Sequence, residues 1–227
     1  MSRMQGIRVY SALCVAIWQV GFAESTPGAP PTAPGIEFGA VAGKDTNNTN
    51  QSPITVAIKT ESGPGQIPAS RAYITAGTNK FAFLLPGEFK LAGCDPQKVT
   101  LMKRDGSCLI SVRVIGPPPA TGKPFDSAAA RGLLNEEHPD ANISSEFGMS
   151  AGGASGPAFE IQWGTGVLTR TSRVGFIPFR AGLLEFSVDA SADKLGQSLG
   201  DFNFVILTFR ASDEKGKLDA TPLSDSI

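Results

Sequence analysis

The sequence predicts an α+β fold, an antiparallel sheet flanked by helices in an α-β-α sandwich. Three observations predict it. Apolar residues alternate along several strand-length segments, glycine-bearing turns separate those segments, and helical periodicity is confined to two stretches. Hairpins with helices segregated around them, and no run of alternating βα units, give layers of this kind. The folded part is expected over about 71–212 of the 227 residues, near the common size for one hydrophobic core.

The elements follow in chain order. "NKFAFLLP" puts Phe81, Phe83 and Leu85 on one face and stops at Pro86-Gly87. "KVTLMK" and "CLISVRVI" read as two arms of a hairpin around a two-residue Asp105-Gly106 turn, with Cys108 opposite Lys103 and Ile110, Val112 and Val114 aligned. Pro117-Pro118-Pro119 breaks the chain. Asp126 is placed to cap a helix over Ser127 to Glu137, which His138-Pro139 ends. A strand over Asn142 to Met149 leads into a glycine-rich loop. Beyond it, "AFEIQW", "GVLTRTSRVGFIPF" and "GLLEFSVDA" are each of strand length, with Phe159, Ile161 and Trp163 alternating and then Leu184, Phe186 and Val188. Ser191 is expected to cap a helix running to about Arg210. In it Leu195, Leu199, Phe202, Ile206 and Phe209 recur every three or four residues as one buried stripe.

The two ends read differently. Arg3 and Arg8 precede the apolar run Val9 to Val20, and Gly21-Phe22-Ala23 sets small residues before Glu24. That is the anatomy of a secretory signal peptide over 1–23, cleaved after Ala23, since a spanning helix needs ~20 apolar residues. Cys14 leaves with it. Residues 24–70 are rich in Pro, Gly, Thr, Asn and Ser and are expected to be a flexible linker, with Ile54 to Ile58 able to add a short edge strand. Residues 213–227 are expected to be a disordered tail.

Cleavage takes Lys+Arg from 20 to 18 against 21 Asp+Glu, a net charge of −3. A mildly acidic chain offers no electrostatic footprint for nucleic acid, and no later segment is apolar enough to span a bilayer. Two cysteines remain, and in an exported protein Cys94 and Cys108 form a candidate disulfide. Closing it requires Gly93 to Pro96 to fold back over the hairpin, because bridged Cα atoms lie within about 7 Å.

Gly148-Met149-Ser150-Ala151-Gly152 spells G-x-S-x-G, the nucleophile elbow of α/β-hydrolases, and Ser155 follows in "GGASGP". A triad needs a base beside the serine and an acid behind the base. The chain has one histidine, His138, and it precedes both serines closely. Gly152, Gly153, Gly156 and Pro157 also forbid the helix an elbow requires. The segment reads instead as a hairpin connection whose glycines supply positive φ. Glu136, Glu137 and His138 point to different sides of a helix end and do not form a metal site. "GTG" at 164–166 is a turn without the glycine pattern of a phosphate cradle. Arg170, Arg173 and Arg180 read as ordinary charged surface, Arg170 and Arg173 falling on opposite faces of a strand. Asn47, Asn50 and Asn142 open N-x-Ser/Thr triplets, which matter only in a glycosylating host.

From Lys80 onward "FAFLLPGEF", "DGSCLISVRV", "GPAFEIQW", "FRAGLLEFSVDAS" and the closing "FNFVILTFR" resemble the PsbP-like family, the photosystem II extrinsic subunit and its bacterial relatives, over about 80–211. The resemblance implies the α-β-α sandwich and a non-enzymatic role in docking onto or stabilising a larger complex. The family's metal-associated histidines have no counterpart here, so no metal and no cofactor is implied. The expectation is an exported, periplasmic or extracellular, non-catalytic module that acts through contacts with a protein partner. The alternatives are a small carrier of an apolar ligand between sheet and helix, and a serine hydrolase using Ser150.

Overall fold

The computed structural model describes residues 53–62, 68–116, 125–166, 169–180, 182–211 and 216–218. All of them belong to the compact unit Phe38–Ile227; a first unit, Met1–Glu37, lies outside them. The expected signal peptide, its cleavage after Ala23, Cys14, and the linker up to residue 52 therefore fall outside the described residues, as do Asn47 and Asn50.

Thirteen elements follow one another: β1 (Ile54–Glu61), β2 (Ala69–Ala76), β3 (Asn79–Leu84), β4 (Phe89–Cys94), β5 (Lys98–Lys103), β6 (Cys108–Ile115), α1 (Ser127–Glu137), β7 (Asn142–Ala151), β8 (Ala154–Trp163), β9 (Arg170–Phe179), β10 (Gly182–Ala190), α2 (Leu195–Thr208) and β11 (Arg210–Ala211). They build two sheets, a small one in the order β1-β2-β3-β11 and a large one in the order β4-β5-β6-β10-β9-β8-β7. Every strand pair is antiparallel.

This corrects the expected α-β-α sandwich. Strands dominate, only two helices occur among the described residues, and a second sheet rather than a helix layer shares one face of the large sheet with α2. The reason is the period-2 pattern of β1 and β2. Ile54, Ala72, Ile74 and Ala76 point inward, while Lys59, Arg71 and Thr75 between them keep the average polarity of the stretch high. β1 and the start of β2 lie inside the stretch 24–70, and the edge strand at Ile54 to Ile58 runs on to Glu61.

The alternation of each central strand sorts two cores. On one face, Val99, Leu101, Ile110, Val112, Leu184, Phe186 and Val188 meet Ile74, Phe81 and Phe83 of the small sheet and Phe202, Val205 and Ile206 of α2. Phe209, just past α2, lies among three rings: it stacks on Phe81 and Phe83 and meets Phe186 edge-on at 4.9 Å. On the other face, Phe159, Ile161, Val174, Phe176 and Leu183 pack under Ala130 and Leu134 of α1.

Both helices have local causes. Asp126 caps α1 by accepting from the Ala129 N–H at 2.9 Å, and the helix ends where the His138 N–H reaches Leu134 O at 2.8 Å. α2 starts later than expected. Ser191 opens a turn in which its carbonyl accepts from Lys194 and Leu195, so the helix begins at Leu195. The chain beyond β11 is not wholly loose, because Leu218 is buried and its N–H donates to Gly152 O at 2.8 Å.

Candidate functional site

The glycine-rich segment is a tight hairpin. Gly152 and Gly153 have φ of 59° and 84°, the pair of positive values that a type I′ turn between β7 and β8 demands. Ser150 and Ser155 stand directly opposite across it, exposed, with their hydroxyls 2.6 Å apart. His138 lies elsewhere, its ring 5.1 Å from that of Trp163. Trp163 and Ser155 are the two ends of β8, about 26 Å apart at ~3.3 Å per residue. Neither hydroxyl is therefore placed against the imidazole. The glycines serve packing instead: a Cβ on Gly152 would meet Leu218 Cγ at 3.0 Å, and one on Gly153 would meet Lys217 at 3.4 Å.

The candidate disulfide is corrected as well. Cys94 and Cys108 are free thiols. The hairpin has the expected register, Met102 facing Leu109, although its loop spans Arg104 to Ser107. Cys94 faces Val99, which faces Val112, so the cysteines sit two strands over and about 13 Å apart along the strand. The Asp95 carboxylate fixes the turn locally, accepting from the Gln97 and Lys98 N–H groups, and no fold-back over the hairpin occurs. Burial raises both thiol pKa values, which keeps them protonated and unreactive.

The chemistry of the molecule gathers on the α1 face of the large sheet. Lys98 of β5 faces Arg113 of β6, Arg113 faces Glu185 of β10, and Glu185 faces Phe176 of β9. Glu185 is only 3% exposed. Its carboxylate bonds to Arg113 Nη2, and the same nitrogen donates to Glu137 Oε2 of α1 at 2.6 Å. Burial first, and the neighbouring Glu137 charge second, push the Glu185 pKa up to about 7 against the pull of Arg113 and Lys98. Arg113 and Glu137 also line a cleft of about 310 Å³ with Gln97, Ile115, Leu133 and Glu136. On the same face of the sheet the Trp163 indole N–H donates to Ser172 Oγ at 2.6 Å, and Ser172 donates to Asp189. Burial lowers the pKa of His138, which covers Trp163.

The remaining sequence candidates fall apart in space. Glu137 is committed to Arg113, and no group of three or more His, Cys, Asp or Glu side chains among the described residues is arranged to hold a metal. Arg170 reaches Asp189 O, whereas Arg173 pairs with Glu160 at 3.0 Å and lies over the Phe147 ring, on the other face. Gly164 and Gly166 carry positive φ in a turn. The space between α2 and the large sheet, where an apolar ligand was considered, is filled by Phe81, Phe83, Phe186, Phe202 and Phe209. No helix among the described residues is long and apolar enough to cross a membrane.

Sequence reasoning missed Arg113 and Glu185. Arg113 is the one charge of the apolar strand β6, which marks it locally, whereas its pairing with Glu185 of β10 is visible only in the fold. It also missed the outer side of α2. The inner stripe is buried, but Phe204 is 41% and Leu207 70% exposed, with Gly196 and Gly200 on the same exposed side.

No family model and no curated protein matches the chain. Among solved structures it is similar to cyanobacterial PsbP (CyanoP) from Synechocystis sp. PCC 6803, at 16% identity and a TM-score of 0.45, covering 58% of this chain and 86% of that one. It is similar to the Saccharomyces cerevisiae Ran-binding protein Mog1p at 9% identity and a TM-score of 0.43, covering 60% and 93%. A third is a Pseudomonas aeruginosa protein of unknown function, PA94, described as a putative regulator, at 13% identity and a TM-score of 0.37, covering 64% and 91%. The resemblance over 80–211 thus meets a PsbP structure among these similarities, and likenesses this distant carry neither family membership nor function to the chain.

Proposed function

We propose that this chain is an exported, non-catalytic module that acts by binding another protein in the cell envelope or outside the cell. One observation carries the reading: two large apolar side chains, Phe204 and Leu207, stand exposed on the solvent side of α2. Phe204 and Leu207 lie one turn apart and uncovered, on a helix whose other side already fills the core. A surface helix ordinarily turns charged residues outward, and an exposed aromatic with an adjacent aliphatic is what a buried interface anchor looks like before its partner arrives. The signal-peptide anatomy of residues 1–23 supports the exported part.

The test is crosslinking in cells followed by affinity recovery and mass spectrometry, which reads both the bound partner and the N-terminus of the recovered chain. The expected result is a chain beginning at Glu24 with a partner that is lost in Leu207→Glu, while circular dichroism of that variant stays that of the parent. A partner retained undiminished by Leu207→Glu, or none recovered in repeated trials, removes the binding reading. A retained N-terminal segment removes export.

A further inference from the structure

The C-terminal turn of α1 is held on the sheet by a shared cation. α1 buries only Ala130 and Leu134, and its last turn is fixed by Glu137, whose carboxylate meets Arg113 Nη2 at 2.6 Å. That nitrogen has a second client, the Glu185 carboxylate in the sheet beneath. Two carboxylates thus draw on one nitrogen of one guanidinium, one from the helix and one from the strand beneath it.

We propose that Glu185 is a proton-operated latch for α1: with its carboxyl neutral, Arg113 clamps Glu137 and the last turn of the helix unopposed, and with it ionised two negative charges face each other across one guanidinium, their repulsion pushes Glu137 away and the turn loosens. The proton passes between the Glu185 carboxyl and water in the cleft beside Arg113; no other bond changes.

The surroundings suit that role. The groups around Glu185 are defined: Arg113 from β6 and the uncharged Phe176 from β9 face it, Glu137 reaches Arg113 from α1, Lys98 of β5 lies beyond Arg113, and His138 follows Glu137 at the helix end. Along β10 itself Asp189 is engaged with Ser172, away from the latch. Glu136 lines the cleft mouth. Only one cation touches Glu185 directly, Lys98 acting at longer range, so ionisation leaves an acidic excess at the helix end. Burial and the Glu137 charge place the transition near neutral pH, where a small change in acidity shifts it. This device is independent of partner binding by α2, which lies on the other face.

Two readouts test it. Trp163 is anchored to the sheet through Ser172, while His138, its ring tilted against the indole, follows the end of α1. Of the two tryptophans of the sequence, Trp18 lies in the segment expected to leave on cleavage after Ala23, so Trp163 is the emitter of the chain beginning at Glu24. Trp18→Phe serves the same end in the uncleaved chain, and His138→Gln removes the imidazole's own titration. In that background we expect Trp163 emission to change between pH 6 and pH 8. Over the same range the amide protection of residues 134–138, corrected for intrinsic exchange, should fall by roughly tenfold, because the loosened turn binds the Glu185 proton less tightly. Glu185→Gln should hold protection high and level with pH, and Glu137→Gln should leave it low and level. A pH dependence that survives in Glu185→Gln, or its absence in the parent, overturns the proposal. Should Glu185→Gln fail to fold, a parent-like pH dependence in Glu137→Gln overturns it equally.

Discussion

A carboxylate buried beside a single guanidinium moves stability with pH in the direction opposite to most acids. The folded pKa of Glu185, about 7, lies above its ordinary 4.5, so the native state holds the proton more tightly than the unfolded chain does. Its contribution is complete below pH 4.5 and is lost as pH rises through 7. The loss is on the order of 3 kcal/mol at one unit per ~1.4 kcal/mol. His138 has the reverse sign: its folded pKa is lowered from 6.5 by burial, so the unfolded chain takes that proton first and stability falls as pH drops below 6.5. The expected outcome is a parent with partly cancelling slopes near neutrality. Glu185→Gln should match the parent at pH 4 and exceed it by about 3 kcal/mol at pH 8, read from urea midpoints across that range.

At the scale of elements, what was legible in the sequence was what is settled locally. α1 has the expected bounds and cap because Asp126, the first helical residues and His138-Pro139 act within one turn of each other. The hairpin register of β5 and β6 and the alternating faces of β8 and β10 were legible for the same reason. The split into two sheets was not, since a period-2 pattern says which residues share a face and is silent on which strand lies alongside. The Arg113–Glu185 pair depends on such a pairing across 72 residues, so no window of sequence displays it. The start of α2 was misplaced because Ser191 spends its carbonyl on a preceding turn. The cap of α1 is therefore the place where local logic can be measured: Asp126→Ala should cost about 1 kcal/mol in chemical denaturation, with the loss confined to stability and the strand content unchanged.

Across the whole molecule, one core joins both sheets, α2 and the segment after β11. Leu218 belongs to it, seated over Gly152 and against Phe209, although it lies in the stretch 213–227 expected to be disordered. Apolar residues as scattered as Leu218, Leu223 and Ile227 in a polar stretch carry no periodic signal, which is why the sequence did not display the burial of Leu218. Leu218→Ala should lower stability by about 2 kcal/mol, as a partly collapsing large-to-small change does, measured as a fall in the denaturant midpoint at constant slope.

α2 carries aromatic side chains on two sides, Phe202 buried and Phe204 exposed. Besides the buried stripe, two polar bolts hold its orientation, Asp201 to Lys103 at 3.2 Å and Thr208 Oγ1 to the Leu84 N–H at 3.1 Å. With both bolts removed, a roll of ~100°, one residue's step around the axis, would tuck Phe204 under and turn Phe202 out. Two side chains that touch no partner thus choose which aromatic the molecule shows to the world.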